Sequence, residues 1–341
     1  MDTLFNSGSA RRRLLNDLVS RSELPAIVAE KDLWVCWTLA RLQEISGMPR
    51  LTFKGGTSLS KVHRLIDRFS EDIDLTFSRN GWGFDGDRDP LREGTSSKLR
   101  QRLVDEISER SRTVVRDVVA PGLRAICTSQ IGPAGWSVEV DPGVADQQTV
   151  VFAYPTQQVY GSYMKPVVVM EFGARGDPWP TMPHVIRSMV EETFEGEAPE
   201  TVCSVDTLDP ERTFWEKATL LHALHHHTLS NPDRTAARQS RHLYDLHRMW
   251  APLRERVMGN PALLDSVVKN KMVFFKSPPS RFEFVLGGLL NAAPHPALEE
   301  KLRADFRAMS GMFFAGTPVP TFEAMLVTLR EIDEAVGRWK D

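Results

Sequence analysis

Between Leu51 and Phe77 the chain runs through three local patterns in quick succession, and their order restricts the folds open to it. Leu51 to Lys54 is short and apolar, Gly55 and Gly56 interrupt it, and Leu59, Val62, Leu65 and Ile66 then recur at helical spacing. Ile73, Leu75 and Phe77 next alternate with Asp72, Asp74 and Thr76, the period of a strand with one apolar and one polar face. The order is strand, glycine turn, helix, strand, with both aspartates pointing the same way. It predicts an α/β fold.

The remaining chain extends that reading. Leu24 to Ile45, LPAIVAEKDLWVCWTLARLQEI, has the spacing of an amphipathic helix, in which Trp34 and Trp37 read as core. Lys98 to Ile126 also reads as helix and carries Arg100, Arg102, Arg110 and Arg112, the densest basic patch in the chain and a candidate track for an RNA acceptor. Trp136 to Val140, Thr149 to Tyr154 and Pro166 to Phe172 read as strands that join Asp72 to Phe77 in one mixed sheet. Ser78 to Gly94, rich in Gly, Asp and Arg, reads as a long loop. After Asp209-Pro210 the pattern is helical, with Glu211 to Leu229 and Arg238 to Trp250 the clearest segments. A boundary near 200 to 210 is expected, with an α/β domain and N-terminal helices over 1–205 and a helical domain over 206–341 that completes the active-site cleft.

Composition excludes more than it identifies. With 41% apolar and 26% charged residues the chain should fold on its own, and a net charge of −3 gives no bulk argument for nucleic acid. Cys36, Cys127 and Cys203 form no CxxC pair, so neither a disulfide framework nor a thiolate zinc site is indicated. The N-terminus has no apolar run of signal-peptide length, and no stretch elsewhere approaches the roughly 20 residues of a membrane span. A cytoplasmic protein without a membrane partner is expected.

The chemistry concentrates where the patterns change. Backbone amides in a glycine turn that opens a helix favour anions, so Gly55-Gly56-Thr57-Ser58 suits phosphate, although such turns also arise for steric reasons alone. Asp72 and Asp74 on one strand face repel unless a cation sits between them, and magnesium is commonly held by one or two carboxylates together with substrate phosphates. A solvated acidic strand edge is the alternative for the pair by itself. His222 and His226 have the spacing of a helix-borne metal pair, but no HExxH sequence or nearby cysteine supports zinc. A polar helix end is the simpler reading.

FKGGTSLSK followed by RFSEDIDL resembles the signature of the AbiEii/AbiGii family of nucleotidyltransferase toxins. AEKDLWVCWTLARL, ERTFWEKATLLHALHHH and RQSRHLYDLHRM resemble further blocks of that family in the same order, over roughly residues 25 to 250. The resemblance implies a polymerase-β-like nucleotidyltransferase domain followed by a helical domain. It also implies transfer from a nucleoside triphosphate with Mg²⁺ or Mn²⁺, and a type IV toxin–antitoxin or phage-defence system with a cognate antitoxin. Some relatives act on the 3′ end of tRNA. By motif position it places Lys217 and Asp245 in the active site beside Asp72 and Asp74.

Glu171, at the end of VVVMEF, is the candidate third carboxylate, with Glu139 and Asp141 as weaker competitors. Lys54, Gly55, Gly56, Thr57, Ser58, Lys61, Ser70 and Arg241 are assigned to the nucleotide, with Lys61 and Lys217 offsetting phosphate charge. Lys217 shares a helix face with Thr213, Leu220 and Leu221, where an ammonium needs an anion or must snorkel outward. Asp245 can equally serve as a structural partner of Arg241, His242 or Lys217. Arg238 and Arg241 are candidate phosphate ligands, and exposed helix arginines are the commoner case. Phosphorylation of Ser70 would place nearly two negative charges beside the metal carboxylates, a possible point of control, while a serine closing the turn is the alternative. Nucleotidyl transfer to a protein or small molecule, or triphosphate binding without turnover, would fit the same motifs.

Overall fold

The computed structural model describes residues 4–22, 24–160, 165–231, 237–313 and 316–339. Helices α1 (Gly8–Arg21) and α2 (Ala26–Leu42) precede strand β1 (Leu51–Lys54), helix α3 (Gly55–Lys61) and strand β2 (Asp72–Phe77). Helices α4 (Ser97–Val114) and α5 (Ala120–Gln130) lead to β3 (Ser137–Val140), β4 (Thr149–Ala153), β5 (Val167–Gly173) and β6 (Thr181–Ile186). A short helix α6 (Met189–Thr193) precedes β7 (Cys203–Leu208). Helices α7 (Pro210–Ser230), α8 (Ser240–Met258), α9 (Pro261–Phe274), α10 (Phe282–Leu286), α11 (Pro296–Ala308) and α12 (Phe322–Gly337) complete the chain.

The strands form one mixed sheet in the order β3-β4-β5-β2-β1-β7-β6. β2 lies centrally, antiparallel to β1 and parallel to β5. Its alternation does what the sequence predicts. Ile73, Leu75 and Phe77 enter a core with Trp34 and Trp37 of α2 and Leu103 and Ile107 of α4, and Asp72, Asp74 and Thr76 take the opposite face. A second core is built from α7 to α12 and receives Leu59 and Ile66 from the glycine-turn segment.

Three features depart from the sequence reading. The helix after the glycine pair ends at Lys61 rather than Ile66, and Arg64, with φ +52°, turns the chain so that Ile66 reaches the second core. Lys98 to Ile126 is interrupted by a π turn at Val115–Val119 just before Pro121, which has no N–H with which to continue the ladder. β6 and β7 add two strands that the alternation did not announce. β6 contains Pro183 and exposed Met182 and Val185, as suits an edge strand.

β7 positions the second half of the molecule. It pairs in parallel with β1 through Phe53 and Thr207, then runs into α7, whose first turn is capped by the Asp209 carboxylate accepting from Glu211 N–H at 3.1 Å. Pro210 occupies the first helical position, where no N–H is required. α7 therefore starts at the sheet. No helix among the described residues is long and apolar enough to cross a membrane.

Candidate active site

Strand register builds the acidic face. Asp74 is paired with Lys54 across β1–β2 and with Glu171 across β2–β5, so the three side chains form a row on one side of the sheet. Adjacent strands lie about 4.8 Å apart, which brings Asp74 and Glu171 into electrostatic range. Asp72 lies two residues along on the same face. Glu139 and Asp141 stay away, because β3 is the edge strand and β4 and β5 separate it from β2.

The glycine turn fits against this row. Gly55 has φ +79°, and a Cβ there would stand 1.8 Å from Asp74 Oδ2, so the position needs glycine both for its backbone and for the close approach of the carboxylate. A Cβ on Gly56 would come within 2.5 Å of Ser70 Oγ. The hydroxyls of Thr57 and Ser58 are turned to the backbone, where Thr57 donates to the Asp72 carbonyl and Ser58 donates to the Gly55 carbonyl at 2.9 Å. Any phosphate contact from this turn would thus come from its amides.

All three carboxyls on the face are raised above the usual carboxylate range. For Asp72 the causes are burial, then the like charges of Glu71 and Asp74, opposed by Arg238 and Arg241. For Asp74 the cause is burial, opposed by Lys54, Lys217 and Arg241. The Glu171 side chain opens to solvent, yet desolvation by its surroundings raises it first, followed by Asp74 and Asp72. Among the described residues no group of three or more His, Cys, Asp or Glu side chains converges closely enough to hold a metal ion by itself. The donor set suits a hard divalent cation held by Asp72 and Asp74 together with phosphate oxygens, the usual manner for magnesium, and does not form a closed protein cage.

Cations face these acids from α7 and α8. Lys217 is 8% exposed, and its ammonium lies 2.9 Å from Asp245 Oδ2 and 3.4 Å from His242 Nδ1. Burial lowers the Lys217 ammonium, and Asp245 pulls the other way. Asp245 is wholly buried and also takes both sides of the Arg68 guanidinium, with Nε at 2.7 Å and Nη2 at 2.8 Å. Desolvation alone would raise that carboxyl, but Arg68 and then Lys217 hold it far below the usual range. Asp245 is therefore an anchor beneath the site. Arg241 is half-buried, its Nε has no hydrogen-bond partner, and its charge is felt by Asp72, Asp74 and Glu171.

Several expected residues are engaged elsewhere. Lys61 pairs with Asp32 of α2 at 2.7 Å, so it is committed to a structural ion pair on the flank of α3. Lys54 faces the acids but also approaches Glu216 at 3.7 Å. Arg102 pairs with Glu106, Arg112 with Glu109, and Arg100 donates to the Pro90 carbonyl. α4 covers the sheet face opposite to Asp72 and Asp74, so its arginines form no track beside the acids. His222, His225, His226 and His227 bond to the 277–293 segment, which ties α7 to α10 and its flanks. Arg68 was not singled out from the sequence. Its only local signal is a cation four residues before Asp72.

The sequence model of the AbiEii family, described as nucleotidyl transferase AbiEii toxin of a type IV toxin–antitoxin system, matches residues 37–328. Among solved structures, the chain is similar to MenT4, a nucleotidyltransferase toxin from Mycobacterium tuberculosis H37Rv, with a TM-score of 0.50 and 18% identity over 97% of this chain and 92% of that one. That likeness speaks for the fold. Comparison with curated proteins gave no match.

Proposed function

The chain belongs to the AbiEii family of nucleotidyltransferase toxins, and from that premise we propose that it moves a nucleoside monophosphate from a nucleoside triphosphate to the 3′ end of an RNA, with tRNA the first acceptor to test. The observation that carries the reading is the meeting of Asp72, Asp74 and Glu171 on one sheet face with Lys217 and Arg241 opposite them. The acceptor oxygen attacks the α-phosphorus, a new P–O bond forms, the bond to the β-phosphate oxygen breaks, and pyrophosphate leaves.

Arg241, with its unpartnered Nε, and Lys217, anchored by Asp245, supply fixed positive charge for the phosphates. Because Asp245 holds Lys217 in place, little reorganisation is needed when charge develops. Glu171, raised and open to solvent, is suited to orient the acceptor hydroxyl and take its proton. Magnesium or manganese held by Asp72, Asp74 and phosphate oxygens would offset charge on the reacting phosphoryl group. In the cell, we expect a cognate antitoxin to oppose the activity. Ser70, whose hydroxyl lies against Gly56, is the position where a phosphoryl group would block the turn.

The placement of α4 on the reverse face favours one second reading, in which the acceptor is a protein or small molecule. Both are tested by incubating the protein with each α-labelled nucleoside triphosphate, Mg²⁺, and total tRNA, cell protein or a protein-free small-molecule cell extract. Label in RNA supports the RNA acceptor, label in protein or in a small molecule supports the second reading, and label in none of the three with no pyrophosphate released sinks the transferase assignment.

A further inference from the structure

The C-terminal half reaches the acidic face through a segment that the proposed chemistry leaves unused. Phe69 N–H donates to the Met312 carbonyl at 2.7 Å, and Arg68 forms an antiparallel bridge with Phe313. Asp305 on α11 accepts from the backbone N–H of Arg238 and Ser240, at 2.5 and 2.8 Å, and from the Ser240 hydroxyl. Residues 305 to 313 are thus fixed both to the stretch leading into Asp72 and to the start of α8, which carries Arg241.

Between these attachments lies a cavity of about 200 Å³. Glu71, Arg238 and Arg241 line it on the side of Asp72, and Ala308, Met309 and Met312 give it an apolar, thioether-rich surface. Ser240 and Asp305 also line it, but their polar atoms engage each other and the backbone. What the cavity offers a ligand is polarizable apolar surface with, at one side, the guanidinium groups of Arg238 and Arg241 and the Glu71 carboxylate, which pairs with Arg238 at 3.8 Å and with Lys31. Sulfur packs favourably against aromatic rings, a guanidinium stacks on or bonds to flat polar groups, and sites for such ligands are mostly apolar with a few placed polar groups.

We propose that this cavity takes a nucleobase, with Met309 and Met312 against the ring and Arg238 at its edge. The inference rests on the reading that Asp72 and Asp74 hold the reacting phosphates. A base joined to those phosphates through one ribose must lie close by, and the cavity begins at Glu71, the neighbour of Asp72. Two nucleotides meet at such a centre, the incoming triphosphate and the terminal nucleotide of an RNA acceptor, and each carries a base.

The test uses the full chain and two variants. Ala308→Phe fills the cavity from an exposed position, so it places little load on the core, and Met312→Ala enlarges it. Binding of each nucleoside triphosphate and of inorganic triphosphate is measured by calorimetry without acceptor, and KM for the acceptor is measured separately. If the incoming base occupies the cavity, Ala308→Phe weakens nucleoside triphosphates by about tenfold or more and leaves inorganic triphosphate unchanged. If the acceptor base occupies it, triphosphate affinities hold and the acceptor KM rises by about tenfold. The assignment is overturned if both variants stay within about twofold of wild type on every ligand, or if inorganic triphosphate weakens as much as the nucleotides. Wild-type protein that binds no nucleoside triphosphate would sink the transferase reading along with the cavity. Wild-type turnover combined with indifferent variants sinks the cavity assignment alone.

Discussion

The Lys217 ammonium lies 2.9 Å from Asp245 Oδ2, and the same carboxylate takes both sides of the Arg68 guanidinium, so one buried anion fixes a cation from α7 and another from the segment before Asp72. Removing a single member of a buried ionic group leaves its partners without compensation, which typically costs about 3–5 kcal/mol. Asp245→Ala should destabilise the protein by that amount in chemical denaturation and abolish transfer. An unchanged unfolding midpoint would show that the group does not support the fold.

The same carboxylate sets a pH dependence. Its folded-state pKa is depressed, so its contribution is present above the unfolded carboxyl value of about 3.9 and is lost as pH falls further toward the folded value. The stability gap between wild type and Asp245→Asn should therefore be constant near neutrality and narrow below about pH 4. A gap that narrows instead between pH 6 and 8 would point to a different titrating group.

Asp74 presents the opposite sign. Its carboxyl is raised by burial, so without a cation its ionisation costs stability, and that cost grows as pH rises through the unfolded carboxyl value. Asp74→Asn should stabilise the metal-free protein by about 0.5–2 kcal/mol while eliminating transfer. Adding Mg²⁺ with nucleotide should raise the melting temperature of wild type and not of the variant. Destabilisation by Asp74→Asn would mean that the carboxylate is satisfied in the free protein.

Much of this face was legible in the sequence because it is local. The alternation from Asp72 to Phe77 fixed the sidedness of both aspartates, and register then placed Glu171 beside Asp74. The Asp245 partnership with Arg68 was not legible, since 177 positions separate the two and no periodicity connects them. The ion pair of Lys61 was not legible for a related reason. Lys61 sits in the motif, but its nearest anion, Asp32, comes from α2, which the motif does not contain. β6 was missed because an edge strand with Pro183 and exposed apolar residues lacks the alternation of a half-buried one.

For Lys217, anchored and facing the acids, loss of the charge should act on turnover. Lys217→Met should lower the transfer rate by about 10²–10³-fold, the range seen when one preorganised donor is removed. A rate within about threefold of wild type would assign Lys217 to structure alone.

The arginines of α4 should matter little. They lie on the reverse face, and Arg102 and Arg112 are paired with glutamates, so replacing Arg100, Arg102 and Arg110 by Gln should leave transfer within about twofold. A salt-dependent loss of acceptor affinity would instead show that the acceptor wraps around the sheet to reach them.

The most direct measurement is pyrophosphate release with labelled nucleotide transfer for wild type, Asp72→Ala and Glu171→Gln, with melting temperatures taken in parallel. Asp72→Ala should lose both signals by at least about 10³-fold, Glu171→Gln should lose about 10²-fold or more, and both variants should stay folded. Folded Asp72→Ala protein that still releases pyrophosphate at the wild-type rate would contradict the assignment of Asp72 to the reacting centre.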